Sequence, residues 1–266
     1  MPKNAIVLGM ARSGTSLTAS IFVGKGYFGG ESLAPADHLN PIGYFEAEEL
    51  VQRNSGLIQS TGYRYDNSWV YREPMTPSQL AQLRRLELGD SDRDFVERFT
   101  RRAPWVWKDP RMCLLLRAWW PLLDARSTAV LVVERERDAI FDSFVRAGWR
   151  DTSRAERLET YERIAMHLDT ARETIAELSI PALTIRYADF AADPSGTARR
   201  ISAHFDVHIE ADDIPYEQEF NHDSAKGRAG TRIDRLVTAL PGPIRRMAKA
   251  VTPEKLLRAL YPERYR

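Results

Sequence analysis

The chain carries a single cysteine, Cys113, in 266 residues. One thiol closes no internal disulfide, which excludes a small secreted scaffold stapled by bridges. Cys113 stands in the apolar run Met112-Cys113-Leu114-Leu115-Leu116 with no base beside it, so a buried structural thiol is expected. Long hydrophobic runs are missing too. Nowhere do roughly 18 apolar residues stand together, and no membrane-spanning helix is expected. The first apolar run, Ala5-Ile6-Val7-Leu8, stops at Gly9 and is too short for a secretory signal core, so the expected location is cytoplasmic. Nor does one charge dominate. With 38 Lys and Arg against 37 Asp and Glu, the sequence lacks the basic surplus of a general nucleic-acid binder. His38, His167, His204, His208 and His222 are scattered singly, which leaves no metal constellation. Repeats and low-complexity segments are also absent.

What remains is ordinary globular material, 43% hydrophobic and 28% charged, enough for one large domain spanning 1–266. Strands alternate with helices. Ala5–Leu8 reads as a strand, followed by a Gly/Ser/Thr turn and a helix that places Leu17, Ile21 and Phe22 on one face. Trp105–Trp107 reads as a buried strand ending at Lys108, with helical periodicity from Leu115 to Leu123. Thr128–Val133 is an almost wholly apolar run rich in β-branched residues, as in a central parallel strand covered on both faces. Helices are expected over Ala139–Arg146, Arg154–Leu178 and Pro194–Phe205, and a strand over Pro181–Ile185. The pattern predicts an α/β three-layer fold, a parallel sheet flanked by helices, with its ligand at the carboxyl ends of the strands. Residues from about 26 to 105 break it with glycines, prolines and aromatics that suggest loops between short helices, and are expected to form an irregular acceptor-side insertion. From about 206 the chain reads as a C-terminal helical and loop extension. Its last part, Pro243 to Arg266, is basic and amphipathic, better suited to docking on the domain than to touching a membrane.

The strongest chemical signal is Gly9-Met10-Ala11-Arg12-Ser13-Gly14-Thr15-Ser16. Its glycine spacing is that of a P-loop, in which backbone N–H groups wrap an anion at a helix N-terminus. Thr15 stands where an NTPase carries its lysine, and the cation comes from Arg12 instead. This argues against ordinary ATP or GTP chemistry while keeping the anion cradle.

Here the chain resembles the sulfotransferases that use 3′-phosphoadenosine 5′-phosphosulfate (PAPS), especially their bacterial and Golgi-type branch. Arg12, Ser13, Gly14, Thr15 and Ser16 match the loop that holds the donor's 5′-phosphosulfate in that family. Arg135, at the end of Val132-Val133-Glu134-Arg135, and Ser143, eight positions on, match its 3′-phosphate pair, without the usual proline after the arginine. Trp107-Lys108-Asp109-Pro110-Arg111 resembles its K-x-P-R segment. The resemblance implies that Lys108 contacts the transferring sulfuryl group or its bridging oxygen, and that Arg111 braces the loop. Asn40-Pro41-Ile42-Gly43-Tyr44-Phe45-Glu46 and Tyr187-Ala188-Asp189-Phe190 resemble two further segments. Lys226-Gly227-Arg228 resembles, more loosely, the basic segment over the 3′-phosphate. The implied activity is sulfuryl transfer from PAPS to an acceptor hydroxyl, leaving adenosine 3′,5′-bisphosphate and requiring no metal.

The base is open among three residues. Pro110 occupies the position of the cytosolic branch's histidine, which leaves Glu46, then Glu31, then His38. The acceptor is open as well: the aromatics of Tyr63–Trp69 and Trp119-Trp120 suit a small aromatic molecule, a sugar or a lipid headgroup equally. Two other classes compete, a P-loop nucleotide kinase or NTPase and a non-catalytic binding protein on the same fold.

Overall fold

The structure, a computed structural model, describes residues 1–37, 39–40 and 42–216. His38, Lys226, Arg228 and the amphipathic tail lie outside the described residues. Met1–Tyr216 forms one compact unit.

Strands β1 (Asn4–Leu8), β2 (Val106–Lys108), β3 (Thr128–Glu134) and β4 (Ala182–Arg186) pair in parallel in the order β2-β1-β3-β4. The helices are α1 (Thr15–Gly24), α2 (Glu48–Gln59), α3 (Pro77–Arg84), α4 (Asp90–Thr100), α5 (Met112–Trp119), α6 (Arg137–Arg146), α7 (Arg154–Glu177), α8 (Asp189–Ala192) and α9 (Pro194–Phe205). Their ends follow local chemistry. Thr76 and Gln79 make a reciprocal capping box around α3, and the Ser153 and Asp193 side chains accept the first-turn amides of α7 and α9.

The two faces of the sheet separate by period two. On β1, Ile6 and Leu8 join one core and Ala5 and Val7 the other; on β3, Val130 and Val132 oppose Ala129, Leu131 and Val133. Leu17, Ile21 and Phe22 of α1 and Ile201 and Phe205 of α9 cover one face, while α2 to α7 supply the other. Both faces are dry, which is why β3 tolerates no polar alternation. β4 departs from that pattern: within it only Ile185 is buried.

Two sequence expectations change. The helix after β2 stops at Trp119 and continues as a single 3₁₀ turn over Trp120–Leu122, where Pro121 offers no N–H to prolong it. The stretch from 26 to 105 contains the short helices α2, α3 and α4 between loops. Phe95 and Phe99 of α4 pack with Trp107, and Phe95 also with Trp119, at centroid distances of 5.5 to 5.7 Å. Trp119 is therefore core, not pocket lining.

β1 and β3 are neighbours, yet the helix after β1 packs on one face and the helix after β3 on the other. The loops leaving their carboxyl ends diverge there. Such a switch point is where an open parallel sheet accepts a ligand.

Candidate functional site

The loop from Gly9 to Thr15 fills that switch point. Its backbone can make the turn only with small residues at two places. Gly14 has φ of 100°, and a Cβ there would lie 2.2 Å from the Tyr187 ring. At Gly9 a Cβ would come within 2.7 Å of Ser13 Oγ and of the Val133 carbonyl. Arg12 is itself left-handed, with φ of 68°, a conformation that costs a non-glycine residue on the order of 1–3 kcal/mol. The α1 N-terminus has neither a side-chain cap nor an acid in its first turn. Ser13 Oγ is buried without a hydrogen-bond partner.

Two distant segments meet at this loop. Arg12 Nε donates to Ser143 Oγ of α6 at 2.9 Å across 131 residues of sequence, and Arg135 Nη1 donates to the Arg12 carbonyl at 3.0 Å. The Arg135 guanidinium also lies 4.5 Å from the centroid of the Tyr187 ring. Burial lowers the Arg12 pKa and Arg135 adds to that, while Tyr44, Asp37 and Tyr187 act the other way. Two guanidinium groups converge beside an uncapped helix start.

Lys108 ends β2 one strand away and is 3% exposed. Its Nζ donates to Glu46 Oε1 at 2.5 Å and lies 5.9 Å from the centroid of the Tyr44 ring. The turn after it is fixed by buried polar contacts. Asp109 accepts from Asn54 Nδ2 at 2.9 Å, from the Arg111 amide at 2.9 Å and from Arg111 Nη1 at 3.0 Å. Asn54 Oδ1 in turn accepts from Trp119 Nε1 at 2.8 Å. Arg111 reaches on to the Asp66 carbonyl at 2.8 Å and stacks 5.0 Å from the centroid of the Trp69 ring. Asp109 raises its pKa against the effect of burial, so it stays a charged brace.

The segment before Glu46 folds over the anion loop. Asn40 Nδ2 donates to Ser16 Oγ at 3.0 Å and to the Gly43 carbonyl at 2.7 Å. Tyr44 Oη meets both carboxylate oxygens of Asp37 at 2.9 Å, and burial together with Asp37 pushes its pKa up to about 12.

Residues 4–212 match a family model described as "Sulfotransferase family". The chain belongs to the sulfotransferase family. Among solved structures it is similar to the sulfotransferase domain of the Synechococcus PCC 7002 olefin synthase, with 18% identity and a TM-score of 0.46 over 83% of this chain and 79% of that one. It is similar also to the sulfotransferase domain of the curacin biosynthetic pathway, with 15% identity and a TM-score of 0.49 over 96% of this chain and 99% of that one. A third is sulfotransferase STF1 from Mycobacterium tuberculosis H37Rv, with 15% identity and a TM-score of 0.45 over 89% and 76%. No curated protein matches the chain.

The sulfotransferase brings together Arg12, Ser143 and Arg135 in one cluster, and Lys108 with Glu46 in another. Glu31 stands elsewhere. Its side chain is 81% exposed, paired with Arg102 at 2.9 Å, and lines a cleft with Phe28, Glu48, Glu49 and Arg98. The residues present fit an anionic donor: an orphaned hydroxyl at Ser13, an uncapped helix start, and two arginines. Sequence reasoning misses Asp37, Tyr44 and Tyr187 as site residues, although Tyr44 and Tyr187 stand inside segments that resemble the family's. Asp37 carries no local signal of its own. Among the described residues no helix is long and apolar enough to cross a membrane, and no cluster of His, Cys, Asp and Glu is placed to hold a metal ion. Cys113 is fully buried, which pushes its thiol pKa up to about 12.

Proposed function

We propose that this sulfotransferase moves a sulfuryl group from PAPS to an acceptor hydroxyl. The observation that carries the reading is the convergence of Arg12, Arg135 and Ser143 at the switch point, because a donor with anionic groups at both ends of a nucleoside needs two anion sites side by side. When bound, PAPS supplies a sulfuryl group already joined to a phosphate leaving group. The N–H groups at the start of α1, with Arg12 and the Ser13, Thr15 and Ser16 hydroxyls, hold its 5′ end. Arg135 and Ser143 hold the 3′-phosphate, the guanidinium by paired hydrogen bonds and the hydroxyl as a neutral donor. Lys108 stabilises the charge that develops on the leaving oxygen, a contribution of ~3–4 kcal/mol per pre-organised donor.

Glu46 is the base we propose. The acceptor oxygen bonds to sulfur, the bridging S–O bond breaks with its electron pair going to the phosphate, and the hydroxyl proton passes to the Glu46 carboxylate. Its contact with Lys108 at 2.5 Å puts the proposed proton acceptor and the proposed leaving-group cation in one cluster. The acceptor class carried forward is a small molecule, a glycan or a lipid headgroup.

A thermal-shift titration with adenosine 3′,5′-bisphosphate against ATP plus Mg²⁺ tests the reading. At ~100 times its Kd a ligand adds ~2.7 kcal/mol, which raises Tm by several degrees at this size. A shift with the bisphosphate, lost in Arg135→Ala and absent with ATP, supports PAPS as donor. A Mg²⁺-dependent shift with ATP alone overturns it in favour of nucleotide phosphoryl chemistry.

A further inference from the structure

The Asn40 side chain joins two segments that carry different parts of the site. Its amide is pinned by its own turn: the Asn40 carbonyl accepts from the Gly43 amide at 3.0 Å, and Asn40 Nδ2 donates to the Gly43 carbonyl at 2.7 Å. Gly43 has φ of 96°, a left-handed conformation that glycine adopts without strain. The same Nδ2 donates to Ser16 Oγ, in the first turn of α1, at 3.0 Å. A carbonyl can only accept, so the atom facing Gly43 must be the NH₂ group, and this settles the direction of the Ser16 bond as well. Ser16 Oγ is the acceptor. Its own hydrogen points elsewhere, and no described residue takes it. Further along, the same segment reaches Glu46, whose carboxylate accepts from Lys108 Nζ at 2.5 Å.

We propose that Asn40 is a positioning residue that presets the Ser16 hydroxyl as a donor to the 5′-phosphate end of the bound nucleotide. This rests on the sulfuryl-transfer reading, in which Ser16 holds that end. A serine hydroxyl carries one hydrogen and rotates to suit its neighbours, so left to itself it can also turn to a nearby side chain or backbone carbonyl. An N–H bond onto its oxygen excludes the rotamers that aim its hydrogen at Asn40. The same bond polarises the hydroxyl, which strengthens it as a donor. With the hydroxyl preset, less rotational freedom is lost when the phosphate arrives. The arm that sets it belongs to the 40–46 segment, so one stretch of chain places both this phosphate contact and the Glu46 carboxylate.

A double-mutant cycle is the test. Calorimetric titration with adenosine 3′,5′-bisphosphate is expected to show Ser16→Ala binding about tenfold more weakly than the wild type, the effect of losing one hydrogen bond to a charged group. Asn40→Ala should weaken binding by about threefold to tenfold on its own, and by less than about twofold in the Ser16→Ala background. Adenosine 3′-monophosphate, which lacks the 5′-phosphate, should bind Asn40→Ala as it binds the wild type, which also reports that the variant is folded. Asn40→Asp is a second, nearly isosteric variant whose side chain only accepts, so the Ser16 hydrogen turns back toward it. In high salt, where the added charge is screened, its bisphosphate affinity should fall at least as far as that of Asn40→Ala. Wild-type affinity in either Asn40 variant overturns the proposal. So does full additivity with Ser16→Ala, or an equal loss for the 3′-monophosphate. If the wild type itself fails to bind the bisphosphate, the sulfuryl-transfer reading falls and this inference with it. A wild type that binds, beside an additive cycle, removes this inference alone.

Discussion

The anion loop and the aromatic loop from Tyr63 to Glu73 are both irregular, yet they are held by opposite means. The anion loop is shaped by its own backbone: two glycines, a left-handed Arg12 and a helix start, with Arg135 just after β3 and Ser143 of α6 resting on it. The aromatic loop is shaped from outside. Arg150 donates to the Val70 carbonyl at 2.8 Å and to that of Tyr71 at 3.3 Å, and Arg163 donates to the carbonyls of Ser68, Tyr71 and Arg72. His167 closes the arrangement, accepting from Ser68 Oγ at 3.0 Å through Nε2 and donating through Nδ1 to the Arg163 carbonyl at 2.9 Å. A loop that binds a ligand must leave its amides open, so its shape comes from backbone conformation. A loop that only forms a wall can have its carbonyls filled by arginines from a neighbouring helix.

That contrast can be broken experimentally. The largest expected effect is on the wall. Arg163 is buried, paired with Glu159 at 2.5 Å as well as with the loop carbonyls, and Arg163→Met should cost about 3–5 kcal/mol of stability. Urea unfolding measures this, while the bisphosphate affinity of the folded variant should match the wild type. Loss of donor binding in parallel with stability would show that the two loops are one unit.

Next comes pH. Burial lowers the His167 pKa to about 4 from an ordinary 6.5, so between those values the unfolded chain takes a proton that the folded protein refuses. Above about pH 6.5 His167 makes stability no more pH-dependent. As pH falls from 6.5 toward 4, folding should weaken by up to about 3 kcal/mol on its account. His167→Gln should flatten that part of the stability profile, and an unchanged slope would refute a neutral, wall-forming histidine.

The smaller effect sharpens the chemistry at the other end. Glu46→Gln should lower kcat by at least ~10²-fold, equivalent to ~2.7 kcal/mol, with bisphosphate affinity little changed. Near-normal turnover would take the base role from Glu46.

Much of the cluster of Arg12, Arg135 and Ser143 was legible without a structure, because its signals are short. Glycine spacing around Arg12, an apolar β-branched run ending at Arg135, and Ser143 on the next helix each lie within a few turns of chain. The wall was not legible. Arg163 is separated from Ser68 by 95 residues, and no local pattern says that an arginine on α7 will meet three carbonyls of a loop. Trp119 misled for a similar reason. An aromatic pair reads alike whether it lines a pocket or, as here, packs on Phe95 and Trp107.

By itself, the sequence determined the parallel α/β layers and the positions of the anion loop, Lys108 and the Arg135–Ser143 pair. Those depend on periodicity and on backbone freedom at a few glycines, which act over neighbouring residues. Only the tertiary structure decided that Glu46 meets Lys108 across 62 residues while Glu31 goes to Arg102. Only it brought Asp37 and Tyr44 within electrostatic reach of Arg12. Glutamates are interchangeable in a sequence. They become different groups when the path of the chain sets which cation each one faces and how much water surrounds the pair.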